Sequence, residues 1–186
     1  MSRAARARPR AVSAALAARE SGAAVRIYIV RHAIAEARGP VWPVDEDRPL
    51  TPRGLARMRE IAARLADRGV QVERIWSSPA LRARQTADVL APLWTTGGVV
   101  EVVPELAPGY APARAGAALA ARPAPGAVAL VGHEPTLGLL TAWMIGAEAP
   151  LPFKKGGVAR VDCSDGLAAG HGQLAWLVTP KLVLED

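Results

Sequence analysis

The pattern of apolar and polar positions is most informative near the start of the chain, where one short stretch is apolar on both faces. Val25, Ile27 and Ile29 fall on one face of an extended chain, and Tyr28 and Val30 fall on the other. A strand of this kind is typical of a parallel α/β sheet that is covered by helices on both sides.

Similar apolar stretches alternate with helical patterns along the rest of the chain. The predicted strands cover residues 25–30, 72–77, 99–103, 127–132, 158–163 and 174–179, and the predicted helices cover 52–68, 79–93, 111–122 and 136–145. Strands that alternate with helices predict a three-layer α/β/α fold with a mostly parallel central sheet.

Two helix starts carry the same local signal, a hydroxyl residue followed by proline. Thr51-Pro52 and Ser78-Pro79 each offer a capping side chain and a residue suited to the first helical position. Ser78 is therefore expected to cap the second helix, which places Arg82 in its first turn.

Composition narrows the class of protein. The 186 residues suit one domain and include a single cysteine, Cys163, so no internal disulfide is possible. No run approaches the roughly 18 apolar residues of a membrane span, so no membrane insertion is expected. We expect a cytoplasmic protein, because a single thiol suits a reducing compartment.

The net charge of +6 is concentrated at the N-terminus. Residues 1–24 contribute +4 and the remainder only +2, which argues against a nucleic-acid partner. This Ala- and Arg-rich segment resembles an organelle-targeting peptide. Because Ala and Arg stay abundant throughout the chain, we favour a disordered extension over residues 1–24, followed by one domain over residues 25–186.

Candidate chemistry appears where two of the predicted strands end. Arg31 and His32 follow the first strand and are expected to begin the loop after it, and His133 follows the fourth strand. Arg82 lies where the positive end of the helix dipole disfavours a cation, unless an anion is bound between them. Ligands bind at the carboxyl ends of strands in such sheets. Two arginines and two histidines at this edge would suit a dianionic phosphate.

Four short motifs, in this order, resemble the histidine phosphatase superfamily, also called the phosphoglycerate-mutase-like family. They are Arg31-His32, Leu50-Thr51 with Gly54, the run from Ser78 to Thr86, and Gly132-His133-Glu134-Pro135. The resemblance covers residues 26–180. The stretches 48–51 and 104–106 are most similar to the small SixA-type phosphohistidine phosphatases.

The resemblance implies a phosphoglycerate-mutase-like fold and a role for each site residue. His32 would be the nucleophile, and Arg31, Arg82 and His133 would bind the phosphoryl oxygens. A hydrogen bond to a backbone carbonyl would fix the tautomer of His32. No metal or other cofactor is implied, and no His or Cys spacing typical of zinc occurs. Glu105 is either the proton donor or a packed loop residue.

The distance between the second arginine and the second histidine bears on the substrate. Larger relatives insert a subdomain there, whereas only 51 positions separate Arg82 from His133. An open site suits a phosphorylated protein, so protein phosphohistidine is the favoured substrate. The alternatives are a phosphatase for small phosphomonoesters such as sugar phosphates, and a non-catalytic phosphate-binding module.

Overall fold

One mixed sheet of six strands organises the part of the chain that the computed structural model describes, residues 25–123, 125–164 and 166–185. The expected extension, residues 1–24, lies outside the described residues. The strands are β1 (Val25–Arg31), β2 (Arg74–Ser77), β3 (Val100–Val102), β4 (Ala127–Gly132), β5 (Val158–Cys163) and β6 (Gly172–Val178). The helices are α1 (Pro52–Asp67), α2 (Leu81–Trp94), α3 (Pro112–Ala120), α4 (Thr136–Ile145) and α5 (Pro180–Leu184). Short 3-10 turns span Asp45–Asp47 and Pro104–Leu106.

The strand order is β3-β2-β4-β1-β5-β6. The first four of these strands pair in parallel, and β5 and β6 extend the sheet in the antiparallel sense beside β1. The prediction of a mostly parallel central sheet is therefore confirmed.

Burial follows the alternation of side chains along β1. Tyr28 and Val30 belong to one buried apolar cluster, whereas Ile27 and Ile29 belong to a second cluster on the opposite face of the sheet. Each such fully buried side chain stabilises the fold by roughly 1.5–3 kcal/mol. The central strand is thus covered on both faces, as its composition predicts.

Helix α1 covers the first of these clusters. Thr51 caps the helix as predicted, since its side chain accepts a hydrogen bond from the Gly54 amide at 2.9 Å. Met58, Ile61 and Leu65 recur at helical spacing and form its buried face. Gly69 follows the helix with φ of +85°, a conformation that glycine adopts without steric cost.

Two predictions about local structure are wrong. Helix α2 begins at Leu81 with Ala80 as its N-cap, so Ser78 is not the cap and Pro79 is not helical. The Ser78 amide still continues the sheet by bonding to the Val131 carbonyl at 2.9 Å, which delays the helix by two residues. Arg31, which is expected to begin the loop after β1, is instead the last residue of the strand.

Candidate active site

Three neighbouring strand ends bring the predicted residues together. Strands β1 and β4 are adjacent and in register, with Arg31 opposite Gly132, so the residues that follow them are neighbours. Those residues are His32 and His133, and their ring centroids lie 4.9 Å apart. The next strand, β2, ends at Ser77 beside Val131 and leads into the helix that carries Arg82.

His32 presents one ring nitrogen for chemistry. Its Nδ1 lies 2.7 Å from the Ala33 carbonyl oxygen, which can only accept, so Nδ1 carries the proton and donates. Nε2 then holds a free lone pair. His32 is only 6% exposed, and this burial is the main reason that its pKa is lowered to about 4. The charges of Arg82 and Arg31 also lower the pKa, whereas the hydrogen bond to Ala33 raises it. His32 is therefore neutral at physiological pH, with its lone pair on Nε2.

The backbone that follows His32 is fixed by two helices. The Ala33 amide donates to the Thr86 hydroxyl on α2 at 3.1 Å, and the Thr51 amide donates to the Ile34 carbonyl at 3.0 Å. Gly54 stands where α1 begins, and a Cβ there would collide with the Ile34 carbonyl. The Leu-Thr-x-x-Gly motif thus allows α1 to pack against the chain two residues beyond the nucleophile.

His133 is held by the opposite nitrogen. Its Nε2 lies 2.8 Å from the Ser78 hydroxyl, whereas its Nδ1 is buried and has no hydrogen-bond partner. The ring is 3% exposed, and burial together with the neighbouring His32 and Arg82 lowers the pKa of His133 to about 3. With the Ser78 hydroxyl donating to Nε2, Nδ1 would carry the proton and could donate to a ligand.

Arg31 is held by a segment distant in sequence. Its Nη1 donates to the Phe153 carbonyl at 2.5 Å, and its Nε is buried without a partner. The Phe153 amide in turn donates to the Glu134 carboxylate at 2.9 Å. The segment that contains Phe153 continues to Lys155, whose positive charge also lowers the pKa of His32.

Arg82 is 2% exposed and is held by a single residue of the loop after β1. Its Nη1 donates to the Asp45 carbonyl at 2.6 Å, and its Nη2 donates to the Asp45 carboxylate at 3.0 Å. Its Nε is buried and has no partner. The expected anion beside this guanidinium is therefore present already, as a side chain of the protein.

Arg31, Arg82 and His133 each have a buried side-chain nitrogen that lacks a hydrogen-bond partner. The unpartnered nitrogens are Arg31 Nε, Arg82 Nε and His133 Nδ1. An unsatisfied buried donor costs roughly 1–3 kcal/mol, so these three nitrogens, with His133 protonated on Nδ1, would suit a ligand beside His32 that accepts hydrogen bonds. Together with the positive charge they suit a phosphoryl group.

Glu105 is less closely tied to the site. It lies half-buried in the turn Pro104–Leu106, and the Leu106 carbonyl packs on Gly132, directly before His133. Within the described residues, Glu105 makes no hydrogen bond to the two arginines or the two histidines. The turn therefore lies beside the site, but the Glu105 carboxylate does not contact the four residues through a hydrogen bond.

Two contributors were not predicted from the sequence. Asp45 lies in a loop rich in proline and charge, and its partner Arg82 is 37 positions away. Ser78 was interpreted as a helix cap, although its hydroxyl contacts His133 across 55 positions. Neither contact leaves a local signal in the sequence.

Known proteins with similar sequences identify the family of this chain. The family model described as histidine phosphatase superfamily (branch 1) matches residues 27–107. The phosphohistidine phosphatase SixA of Escherichia coli K12 is 30% identical over 158 residues, which cover 84% of this chain and 94% of SixA. The chain belongs to the histidine phosphatase superfamily. It is therefore a phosphatase, as the motifs implied. An uncharacterized protein of a Picosynechococcus strain is 34% identical and covers 86% of the chain and 99% of its own length.

Two solved structures show the same fold, and the first of them confirms the predicted phosphoglycerate-mutase-like α/β/α fold. The protein histidine phosphatase SixA complexed with tungstate matches with a TM-score of 0.75 and 29% identity, covering 86% of this chain and 99% of SixA. A mycobacterial glucosyl-3-phosphoglycerate phosphatase matches with a TM-score of 0.59 at 19% identity, covering 82% and 97% of the two chains. This second likeness concerns the fold alone.

Two further features of the described residues bear on the predictions. Within them, no helix combines the length and the apolar character needed to cross a membrane. Nor do three or more His, Cys, Asp or Glu side chains cluster there in a way that could hold a metal ion.

Proposed function

We propose that this phosphatase removes the phosphoryl group from phosphohistidine on a protein, through a phosphoenzyme formed on His32. The observation that carries the proposal is the set of three unpartnered buried donors around a neutral histidine whose Nε2 is free. Positioning and electrostatic stabilisation supply most of the catalysis in phosphoryl transfer. The two arginines and His133 could supply both to a phosphoryl group beside His32.

The proposed reaction has two displacements at phosphorus. His32 Nε2 attacks, and a phosphorus–nitrogen bond forms on the enzyme. The bond to the substrate ring breaks at the same time, and that ring, which carries a proton on its other nitrogen, takes the bonding electron pair and leaves as neutral imidazole. Water then attacks phospho-His32, releases inorganic phosphate and restores the neutral ring. Arg31, Arg82 and His133 donate hydrogen bonds to the phosphoryl oxygens in both steps. His32 keeps its Nδ1 proton on the Ala33 carbonyl throughout.

The chain between Arg82 and His133 supports a protein substrate. That interval holds the remainder of α2, then β3, a 3-10 turn, α3 and β4, and its described residues include no further helix or strand that could cover the site. A phosphorylated side chain on a protein surface could reach a site without such a cover. The similarity to SixA, which is a phosphohistidine phosphatase by name, also supports this substrate.

Small phosphomonoesters are the second candidate. The fold is shared with a phosphatase of glucosyl-3-phosphoglycerate, and the turn of Glu105 lies beside His133. An alkoxide leaving group requires a proton donor, whereas an imidazole needs far less help, since its reference pKa is about 6.5. Glu105 therefore distinguishes the two substrates.

The test is a parallel hydrolysis assay on a phosphohistidine protein, p-nitrophenyl phosphate and a panel of sugar phosphates. We expect turnover of the phosphohistidine protein, and we expect Glu105→Gln to leave it nearly unchanged while slowing any alkyl phosphate by about 10²–10⁴-fold. The p-nitrophenolate leaves without assistance and serves as the control substrate. Turnover of sugar phosphates with none on phosphohistidine would replace the proposal by its alternative. If none of the substrates is hydrolysed but the protein still binds inorganic phosphate, the chain would be a non-catalytic phosphate-binding module.

A further inference from the structure

We propose that Asp45 is a positioning residue, which holds the Arg82 guanidinium by its outer edge and leaves its Nε edge for the phosphoryl group. The inference rests on the proposed function, because it assigns Arg82 to that group. Asp45 would not touch the substrate. It would act through Arg82.

The hydrogen bonds determine which edge of Arg82 is occupied. A guanidinium offers five N–H donors in a plane, and its two terminal nitrogens form one edge. Both terminal nitrogens donate to Asp45, one to the carbonyl and one to the carboxylate. The edge with Nε remains, and Nε is the buried atom without a partner. One residue thereby restricts both the position and the rotation of the guanidinium.

Asp45 is itself fixed from the side away from Arg82. Its other carboxylate oxygen accepts from Arg48 Nε at 2.8 Å and from Arg38 Nε at 2.7 Å. Arg48 is buried, and its Nη1 also donates to the Glu36 carbonyl. This network ties the first 3-10 turn to the chain that leaves His32. The loop thus connects the nucleophile to the arginine 50 positions away.

The charge of Asp45 matters as well as its shape. Burial alone would raise its pKa, but the hydrogen bond from Arg48 and the charges of Arg82 and Arg48 hold the pKa of Asp45 below its usual range. An ionised carboxylate cannot serve as the proton donor. It does offset the cost of a buried cation in the first turn of α2.

A carboxylate on a phosphate-binding arginine could instead compete with phosphate, and the two roles predict opposite results. If Asp45 positions Arg82, removing it weakens phosphate binding and catalysis. If it competes, removing it strengthens phosphate binding. Asp45→Asn keeps the shape and the backbone carbonyl but removes the charge, whereas Asp45→Ala also removes the side-chain acceptor.

The experiment measures inorganic phosphate binding by calorimetry, and kcat and KM on the substrate that the wild type turns over. We expect Asp45→Ala to reduce phosphate affinity and kcat/KM by about 10–100-fold, the range seen when the hydrogen-bond partner of a metal-ligating residue is removed. Asp45→Asn should lose less. In an Arg82→Ala background, Asp45→Ala should have almost no further effect, because the residue through which it acts is absent.

Asp47→Asn, an exposed aspartate of the same turn, is the matched control and should behave as wild type. Tighter phosphate binding by Asp45→Asn, or a full additional loss in the Arg82→Ala background, would overturn the proposal. Melting temperatures separate unfolding from mispositioning, and Asp45→Asn covers the case in which Asp45→Ala does not fold. Phosphate binding remains measurable if the wild type hydrolyses none of the substrates, so the proposed function can fail while this inference is still tested.

Discussion

His32 and His133 differ in which ring nitrogen the protein occupies, and the difference suits each ring to its proposed role. A backbone carbonyl holds Nδ1 of His32 and leaves Nε2 with a lone pair, whereas the Ser78 hydroxyl holds Nε2 of His133 and leaves Nδ1. A lone pair on one ring and an N–H on the other are what attack and charge stabilisation respectively require.

The two arginines are expected to contribute through transition-state charge. Arg31→Ala and Arg82→Ala should each lower kcat/KM by about 2.7–4 kcal/mol of transition-state stabilisation, because each removes donors aimed at the phosphoryl oxygens. Steady-state kinetics with a thermal melt of each variant provide the measurement. Arg84→Ala, an exposed arginine of the same helix turn, is the control. Equal losses from Arg82 and Arg84 would contradict the assignment.

At the scale of elements, the site depends on how closely α1 approaches the loop behind His32. Gly54→Ala places a methyl group against the Ile34 carbonyl, so either the helix or the loop must shift. We expect a loss of about 1–3 kcal/mol in the free energy of unfolding, together with reduced kcat. Denaturant unfolding and kinetics measure the two effects.

Gly97 provides the comparison for Gly54, since a Cβ there meets only a side-chain methyl at 3.9 Å. Gly97→Ala should leave stability and activity close to wild type. If Gly54→Ala is equally neutral, the packing of α1 does not constrain the nucleophile.

Helices and strands could be predicted from the sequence where the local pattern of apolar and capping residues determines them. The alternation in β1 identified a strand covered on both faces, and the capping hydroxyl of Thr51 located the start of α1 within one residue. The same kind of signal at Ser78 was misleading, because the Ser78 amide still pairs with the Val131 carbonyl in the sheet and the helix begins only at Leu81. The local sequence does not show that pairing with a strand more than 50 positions away.

The site was predictable in its four principal side chains but not in its supports. Histidines at the ends of two apolar strands are visible in one dimension, since neighbouring parallel strands end at the same edge. The contact between Asp45 and Arg82 is not visible, because nothing near Asp45 distinguishes it from Glu46 or Asp47 until the loop folds back.

For the whole molecule, the buried histidines link stability to pH. The pKa values of His32 and His133 are about 4 and about 3 when folded, below the ordinary value near 6.5. Between about pH 6.5 and pH 4 the unfolded chain binds protons that the folded chain does not. The free energy of unfolding should therefore fall as pH falls through this window.

Denaturant unfolding at pH 7 and pH 5 measures that loss. His133→Gln should reduce the difference in unfolding free energy between the two conditions, because the variant lacks one of the protons taken up on unfolding. His171→Gln, which changes an exposed histidine, should not reduce it. An unchanged difference in His133→Gln would mean that this ring is not held neutral by the fold.

Trapping the phosphoenzyme tests whether His32 accepts the phosphoryl group. The purified protein, given a labelled phosphohistidine protein and quenched rapidly, should carry label that is stable in base and lost in acid, as expected of a phosphorus–nitrogen bond. Mass spectrometry should place it on His32, and His32→Ala should show neither label nor turnover. Label that persists in His32→Ala, or that maps to a serine such as Ser78, would contradict the account.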